Sequence, residues 1–165
     1  MHVDLCSYPV NSIQGNRYSM PVVDEHSRFV TVFFLKQKIE TANLLLQCIR
    51  FHENFTGNRV NTIQTDNGGG FNSQYLRDEL NKKGIRLQTT IPYSPQQNGV
   101  AERMNRTLND RARTMLIQSG LSQRYWQFAV ATAAHVTNRV PSTANNSISP
   151  YQLWAGKKPD ISHIR

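Results

Sequence analysis

Hydrophobic positions recur along this chain with two periods, and the places where one gives way to the other mark its elements. Residues 2–6 read as a short strand soon broken by Pro9, Asn11 and Ser12. Two β-rich runs follow at 18–23 and 29–35 around the turn-like Asp24-Glu25-His26-Ser27-Arg28, which predicts a hairpin. Over residues 39–55 the period lengthens, with Ala42, Leu45, Leu46, Ile49, His52 and Phe55 at helical spacing and Thr56-Gly57-Asn58 closing the helix. A short strand at 60–65 runs into the tight Gly68-Gly69-Gly70 loop. Ser73 caps a helix to Lys83 with Tyr75, Leu76 and Leu80 inward and Gly84 as its stop. Residues 85–91 alternate Ile85, Leu87, Thr89 and Ile91 with period two, a strand.

After that strand, Pro92, Pro95 and Asn98-Gly99 make a loop that runs into a helix striped by Ala101, Met104, Leu108, Met115 and Leu116. Ser122 caps a last long helix with Trp126, Ala129, Val130 and Ala133 on its buried side, ended by Val140-Pro141. The remainder is irregular, with at most a turn of helix near Tyr151 to Trp154, so residues 1–141 are read as one domain and 142–165 as its C-terminal extension. Three strands, helix, strand, helix, strand, helix, helix predicts an α/β fold, a mixed five-stranded sheet with helices on both faces.

Composition narrows the partners. Nineteen Lys and Arg against eleven Asp and Glu give a net charge of +8, a balance suited to polyanions such as nucleic acid. Cys6 and Cys48 are too few for a disulfide framework, and no cysteine or histidine spacing matches a zinc module. With no signal sequence and no long apolar run, a soluble protein of a reducing compartment is expected, with no membrane partner.

The candidate chemistry lies in three carboxylates. Asp4 ends the first strand, Asp66 ends the fourth, and Glu102 sits in the first turn of a helix, where the helix dipole favours an anion. Such a set suits two hard divalent cations, Mg2+ or Mn2+, which activate a nucleophile and stabilise a leaving oxygen at a phosphodiester. The bland reading of Asp4 is a solvated turn residue, and that of Arg103, Arg106, Arg111 and Arg113 a solvated helix face. The 35-residue gap between Asp66 and Glu102 is uninformative alone, because Asp4 and Glu40 share it. The Gly-rich loop lacks both Gly-Lys-Ser/Thr and G-x-G-x-x-G, which argues against nucleotide binding.

Thr65-Asp66-Asn67-Gly68-Gly69, the gap that follows, the segment from Pro92 to Arg106 and Asn105-Arg106-Thr107-Leu108 together resemble the catalytic core of retroviral and retrotransposon integrases, the copia type of LTR retrotransposon above all. Asp24-Glu25-His26-Ser27-Arg28-Phe29 resembles that group's second-strand segment. The resemblance covers nearly the whole chain and implies an RNase H-like fold in which Asp4, Asp66 and Glu102 hold two Mg2+ or Mn2+ ions. It further implies that Tyr93 and Gln97 lie in an active-site loop approaching DNA, and that Arg103, Arg106 and Arg113 lie on a helix that tracks it. The implied activity is 3′-end trimming followed by strand transfer into target DNA, by a homodimer or higher oligomer, in the nucleus or in a cytoplasmic virus-like particle before nuclear entry.

Three departures from the family pattern bear on activity: Gly70 where copia-type sequences carry Glu, a first strand with only three residues before Asp4, and no flanking zinc-binding or basic domain. These set an active excised core against a catalytically inactive remnant that at most binds nucleic acid. A cellular RNase H-like nuclease acting on RNA:DNA hybrids is the third reading.

Overall fold

Val, Phe and Tyr are prominent in the two runs flanking the Asp24 turn, and in the computed structural model, which describes residues 1–66, 68, 70–89 and 98–163, these runs form the hairpin β3 (Tyr18–Val23) and β4 (Val30–Leu35). Their register, from Tyr18 opposite Leu35 to Val23 opposite Val30, is uninterrupted. On the other side of β3 lie two short antiparallel segments, β1 (His2–Val3) and β2 (Cys6–Ser7). His2 faces Val23, Val3 faces Val22, Cys6 faces Ser19 and Ser7 faces Tyr18, so the two segments share one register and occupy one strand position.

The break between them has a covalent cause. The Asp4 N–H donates to the Pro21 carbonyl at 3.3 Å. In a regular antiparallel pair that bond would be returned, but proline has no N–H to give. Residues 2–7 are therefore a full strand along β3, extended by a Tyr8 N–H bond to Arg17. The first strand expected to be badly shortened is short only toward its parallel neighbour β5 (Thr62–Thr65), beside which β1 lies. The β6 strand (Arg86–Thr89) adds in parallel to β5. The sheet thus reads β4, β3, β1 with β2, β5, β6: five positions, mixed, as the element order predicts.

Alternation along the hairpin assigns its two faces. Met20, Val22 and Leu35 point to a core with α1 (Thr41–Thr56) and α2 (Gln74–Lys82), joined by Val3, Ile63, Phe71 and Ile85. Val23, Val30, Val32 and Phe34 point the other way, to α3 (Gly99–Ser119) and α4 (Trp126–Arg139). The helical stripes are narrower than periodicity suggests. In α2 only Leu76 and Leu80 are buried and Tyr75, expected inward, is 53% exposed, because it stands about 100° around the helix from Leu76.

The segment after residue 141, expected to be irregular but for a turn of helix near Tyr151 to Trp154, carries a short helix there and is packed against the domain. Pro150–Ala155 form α5, capped by Ser149, whose Oγ accepts from the Gln152 N–H. The indole of Trp154 lies between the rings of Phe29 and Phe55, stacked at 4.0 and 4.1 Å between centroids. No helix among the described residues is long and apolar enough to cross a membrane.

Candidate active site

Strand register brings the first two carboxylates together. His2 pairs with Gln64 and Val3 with Thr65 in parallel, so Asp4 and Asp66 each follow a paired residue at the same end of adjacent strands. Ends of this kind, outside the last hydrogen bonds of a parallel pair, leave side chains free for chemistry. The Asp4 carboxylate accepts from the Leu5 N–H at 2.8 Å through Oδ1 and from the Asn105 amide at 2.6 Å through Oδ2.

Asn105 belongs to α3, and polar residues on the inward side of that helix fix it to the sheet. Asn98, the N-cap residue, makes no side-chain cap bond to its own helix and is 1% exposed; its amide donates to the Val3 carbonyl at 3.2 Å. Asn109 donates to the Asn105 carbonyl and accepts the Tyr8 hydroxyl proton at 2.7 Å. Tyr8 in turn stacks on Trp126 with centroids 3.7 Å apart, and burial pushes its phenol pKa up. These asparagines pin the start of α3 to the strand end that carries Asp4. Sequence reasoning missed them; the available signal was Asn105 and Asn109, amides four apart beside the Ala101 and Leu108 stripe.

Glu102 lies in the first turn of α3, one turn before Asn105, and its side chain is exposed. Among the described residues no three His, Cys, Asp or Glu side chains stand close enough to share a metal ion, so the three carboxylates are not gathered into a closed cage. Arg106 and Arg113 are exposed on the same side of α3 as Glu102, as their spacing predicts. Arg103 and Arg111 are not: both line a groove between α3 and the end of α4, where Arg111 donates to the Thr137 hydroxyl at 2.6 Å. The four arginines therefore divide between two sides of the helix. Tyr93 and Gln97 lie outside the described residues.

The glycines around Asp66 are close-fitted. A Cβ on Gly68 would stand 2.8 Å from Asp66 Oδ1, the oxygen that accepts from the Gly68 N–H at 3.0 Å, so a side chain there would displace the carboxylate. At Gly70 a Cβ would come 3.0 Å from Thr41 Oγ1, a buried hydroxyl without a partner among the described residues. The missing side chain at 70 leaves no gap: backbone and Thr41 already meet there.

The chain resembles known proteins in sequence and in fold. Residues 1–95 match one family model described as integrase core domain, and residues 83–137 match a second model of the same description. The whole chain is 34% identical to part of the "Retrovirus-related Pol polyprotein from transposon TNT 1-94" of Nicotiana tabacum and 31% identical to part of that from transposon RE2 of Arabidopsis thaliana. It spans 12% and 11% of those polyproteins. In fold it is similar to the catalytic core domain of BIV integrase, with a TM-score of 0.64 at 22% identity over 94% of this chain and 93% of that one. It is also similar to a chain of a simian T-cell lymphotropic virus intasome in complex with PP2A regulatory subunit B56 gamma, with a TM-score of 0.72 at 23% identity over 99% of this chain and 58% of that one. Carrying the RNase H-like sheet of these cores and their family's sequence pattern, the chain belongs to the integrase core domain family, as a catalytic core of the LTR-retrotransposon kind.

Proposed function

We propose that this chain is a metal-dependent polynucleotidyl transferase that trims the 3′ ends of retrotransposon DNA and joins them to target DNA. The observation that carries this reading is the parallel register setting Asp4 and Asp66 at one end of adjacent strands, with Asn105 of α3 bonded to Asp4. Carboxylate oxygens are the ligands that hard Mg2+ and Mn2+ prefer, so the donor set fits the family's metals. Asp4, Asp66 and Glu102 would hold two such ions, which supply an activated water or 3′-hydroxyl and neutralise the charge that develops on the departing oxygen.

The remaining residues bind and orient. Asn105 holds the Asp4 carboxylate in one rotamer, and Asn98 and Asn109 keep the start of α3 against the strand. Arg106 and Arg113, exposed beside Glu102, are placed to take DNA phosphates, and the family resemblance assigns Tyr93 and Gln97 to DNA contact as well. Arg103 contributes from the neighbouring side of the helix. Assembly as a homodimer or higher oligomer, and action in the nucleus after a virus-like particle stage, belong to the same reading.

The test compares wild type with Asp66→Asn on branched DNA carrying one element end, in Mg2+ and in Mn2+. Loss of strand-transfer and disintegration products in the variant is the expected result. Equal yields from the two proteins would remove the mechanism and leave a protein that at most binds nucleic acid.

A further inference from the structure

On the side of α3 turned away from β1 and β2, a groove of about 530 Å3 runs between this helix and the segment that follows α4. Arg28, Arg103 and Arg111 all line it, and no Asp or Glu does. The hydroxyl-bearing Thr107, Thr137 and Ser142 stand among them. Basic residues on a soluble protein are ordinarily interspersed with acidic ones, and none of these three arginines forms an ion pair among the described residues.

Arg28 is the informative member. Its backbone is left-handed, with φ 62, a conformation that residues other than glycine rarely adopt. The conformation is enforced from several directions. The Arg28 N–H donates to the Asp24 carbonyl, the Ser27 N–H and hydroxyl both donate to Asp24 Oδ2, and Asn145 donates to the Ser27 carbonyl at 2.7 Å. One guanidinium nitrogen, Nη1, is buried without a hydrogen-bond partner among the described residues. Across the groove, Arg111 is braced by its 2.6 Å bond to Thr137, whose hydroxyl donates in turn to the Ala133 carbonyl. Two positive groups are thus fixed before any ligand arrives, one already stripped of part of its water. That preorganisation favours an anion with several oxygens.

We infer that this groove binds the sugar–phosphate backbone of duplex DNA, as a second contact surface beside the carboxylate edge. The inference rests on reading the chain as a DNA-handling enzyme: a polyanion must lie across the first turn of α3 to reach Glu102, and Arg103 links that turn to the groove. Phosphate is the chemistry selected, since a guanidinium fork matches the paired oxygens of a phosphate and neighbouring hydroxyls can donate to the same oxygens.

The experiment measures the salt dependence of binding of a fluorescent 20-base-pair duplex by anisotropy, for wild type, Arg28→Gly, Arg111→Gln and Lys158→Gln. Glycine suits a φ of 62, and glutamine keeps a donor for Thr137; cooperative melts confirm that both variants fold. Each groove variant is expected to weaken binding several-fold and to flatten the plot of log affinity against log salt by about 0.9, one phosphate contact. Lys158→Gln removes the same charge from an exposed position elsewhere and should change the slope by less than half as much. Wild-type slopes in both groove variants, or an equal effect from Lys158→Gln, would overturn the inference. Asp66→Asn, carried through the same assay and through strand transfer, separates the two readings. Full transfer by that variant removes the catalytic reading and leaves the groove; wild-type slopes in the groove variants remove the groove and leave catalysis.

Discussion

Asn105 occupies a position on α3 that its neighbours Ala101, Leu108 and Ala112 would lead one to fill with an apolar side chain. A 9% exposed amide is worth keeping there because its donor meets the Asp4 carboxylate at 2.6 Å. Asn105→Ala leaves that carboxylate without the donor and free to turn, a loss of about 1.5–3 kcal/mol for a hydrogen bond to a charged group. Groups that orient metal ligands typically change metal affinity or activity by about 10–100-fold. We therefore expect Asn105→Ala to melt cooperatively while strand transfer falls by that order and its Mn2+ requirement rises. An unchanged Mn2+ titration would reduce Asn105 to a packing residue. Asp4, Asp66 and Glu102 could be singled out in the sequence because the motifs around them resemble those of a family, not because acids at strand ends stand out by themselves. Asn105 was not, since nothing in a helical stripe says that one inward position faces a carboxylate about a hundred residues away in the chain.

At the scale of elements, α1 and α5 are joined through His52. Trp154 Nε1 donates to His52 Nδ1 at 3.1 Å, so the ring proton is on Nε2, 3.0 Å from the Thr31 hydroxyl. Burial holds the imidazole neutral and lowers its pKa to about 4, against an upward pull from Asp24. A protonated His52 could not accept from Trp154. Between about pH 6.5 and pH 4 the unfolded chain binds a proton that the folded chain refuses, so stability is whole above that window and is lost as pH falls through it. The full effect is on the order of 3 kcal/mol. Burial of His2 acts in the same direction. Melting temperatures measured across the window should fall steeply for wild type and less for His52→Asn, whose amide oxygen can take the indole proton without titrating. Equal slopes would place the acid sensitivity elsewhere. Periodicity put His52 on the packed stripe of α1 correctly; its partner lay in the segment read as an extension, where no apolar period announces a docked helix.

For the whole molecule, that docking makes residues beyond Arg139 part of the folded unit. Trp154 is 9% exposed between two phenylalanines from different elements, and Asn145 reaches back to the Ser27 carbonyl of the hairpin turn. Trp154→Ala should cost about 3–5 kcal/mol in urea unfolding, as large aromatic truncations in cores do. A loss below about 1 kcal/mol would mean that α5 rides on the surface. The basic charge of the chain has a molecular-scale arrangement too. The arginines of α3 share one helix yet face two surfaces, Arg106 and Arg113 beside Glu102 and Arg103 and Arg111 in the groove with Arg28.

The sequence by itself determined the element order and the sheet's five strand positions, because alternation, helical spacing and turn chemistry are local and survive without a partner in view, and its motifs determined the family. Only the tertiary structure decided that Asp4 stands mid-strand against β3 and at the strand's end toward β5, with Pro21 leaving its carbonyl unanswered. Only the fold brought Asn105 to Asp4 and Trp154 to His52, and set Arg28 and Arg111 along one groove. Those pairings join residues distant in the chain, and what selects them is the register of strands and the crossing of helices.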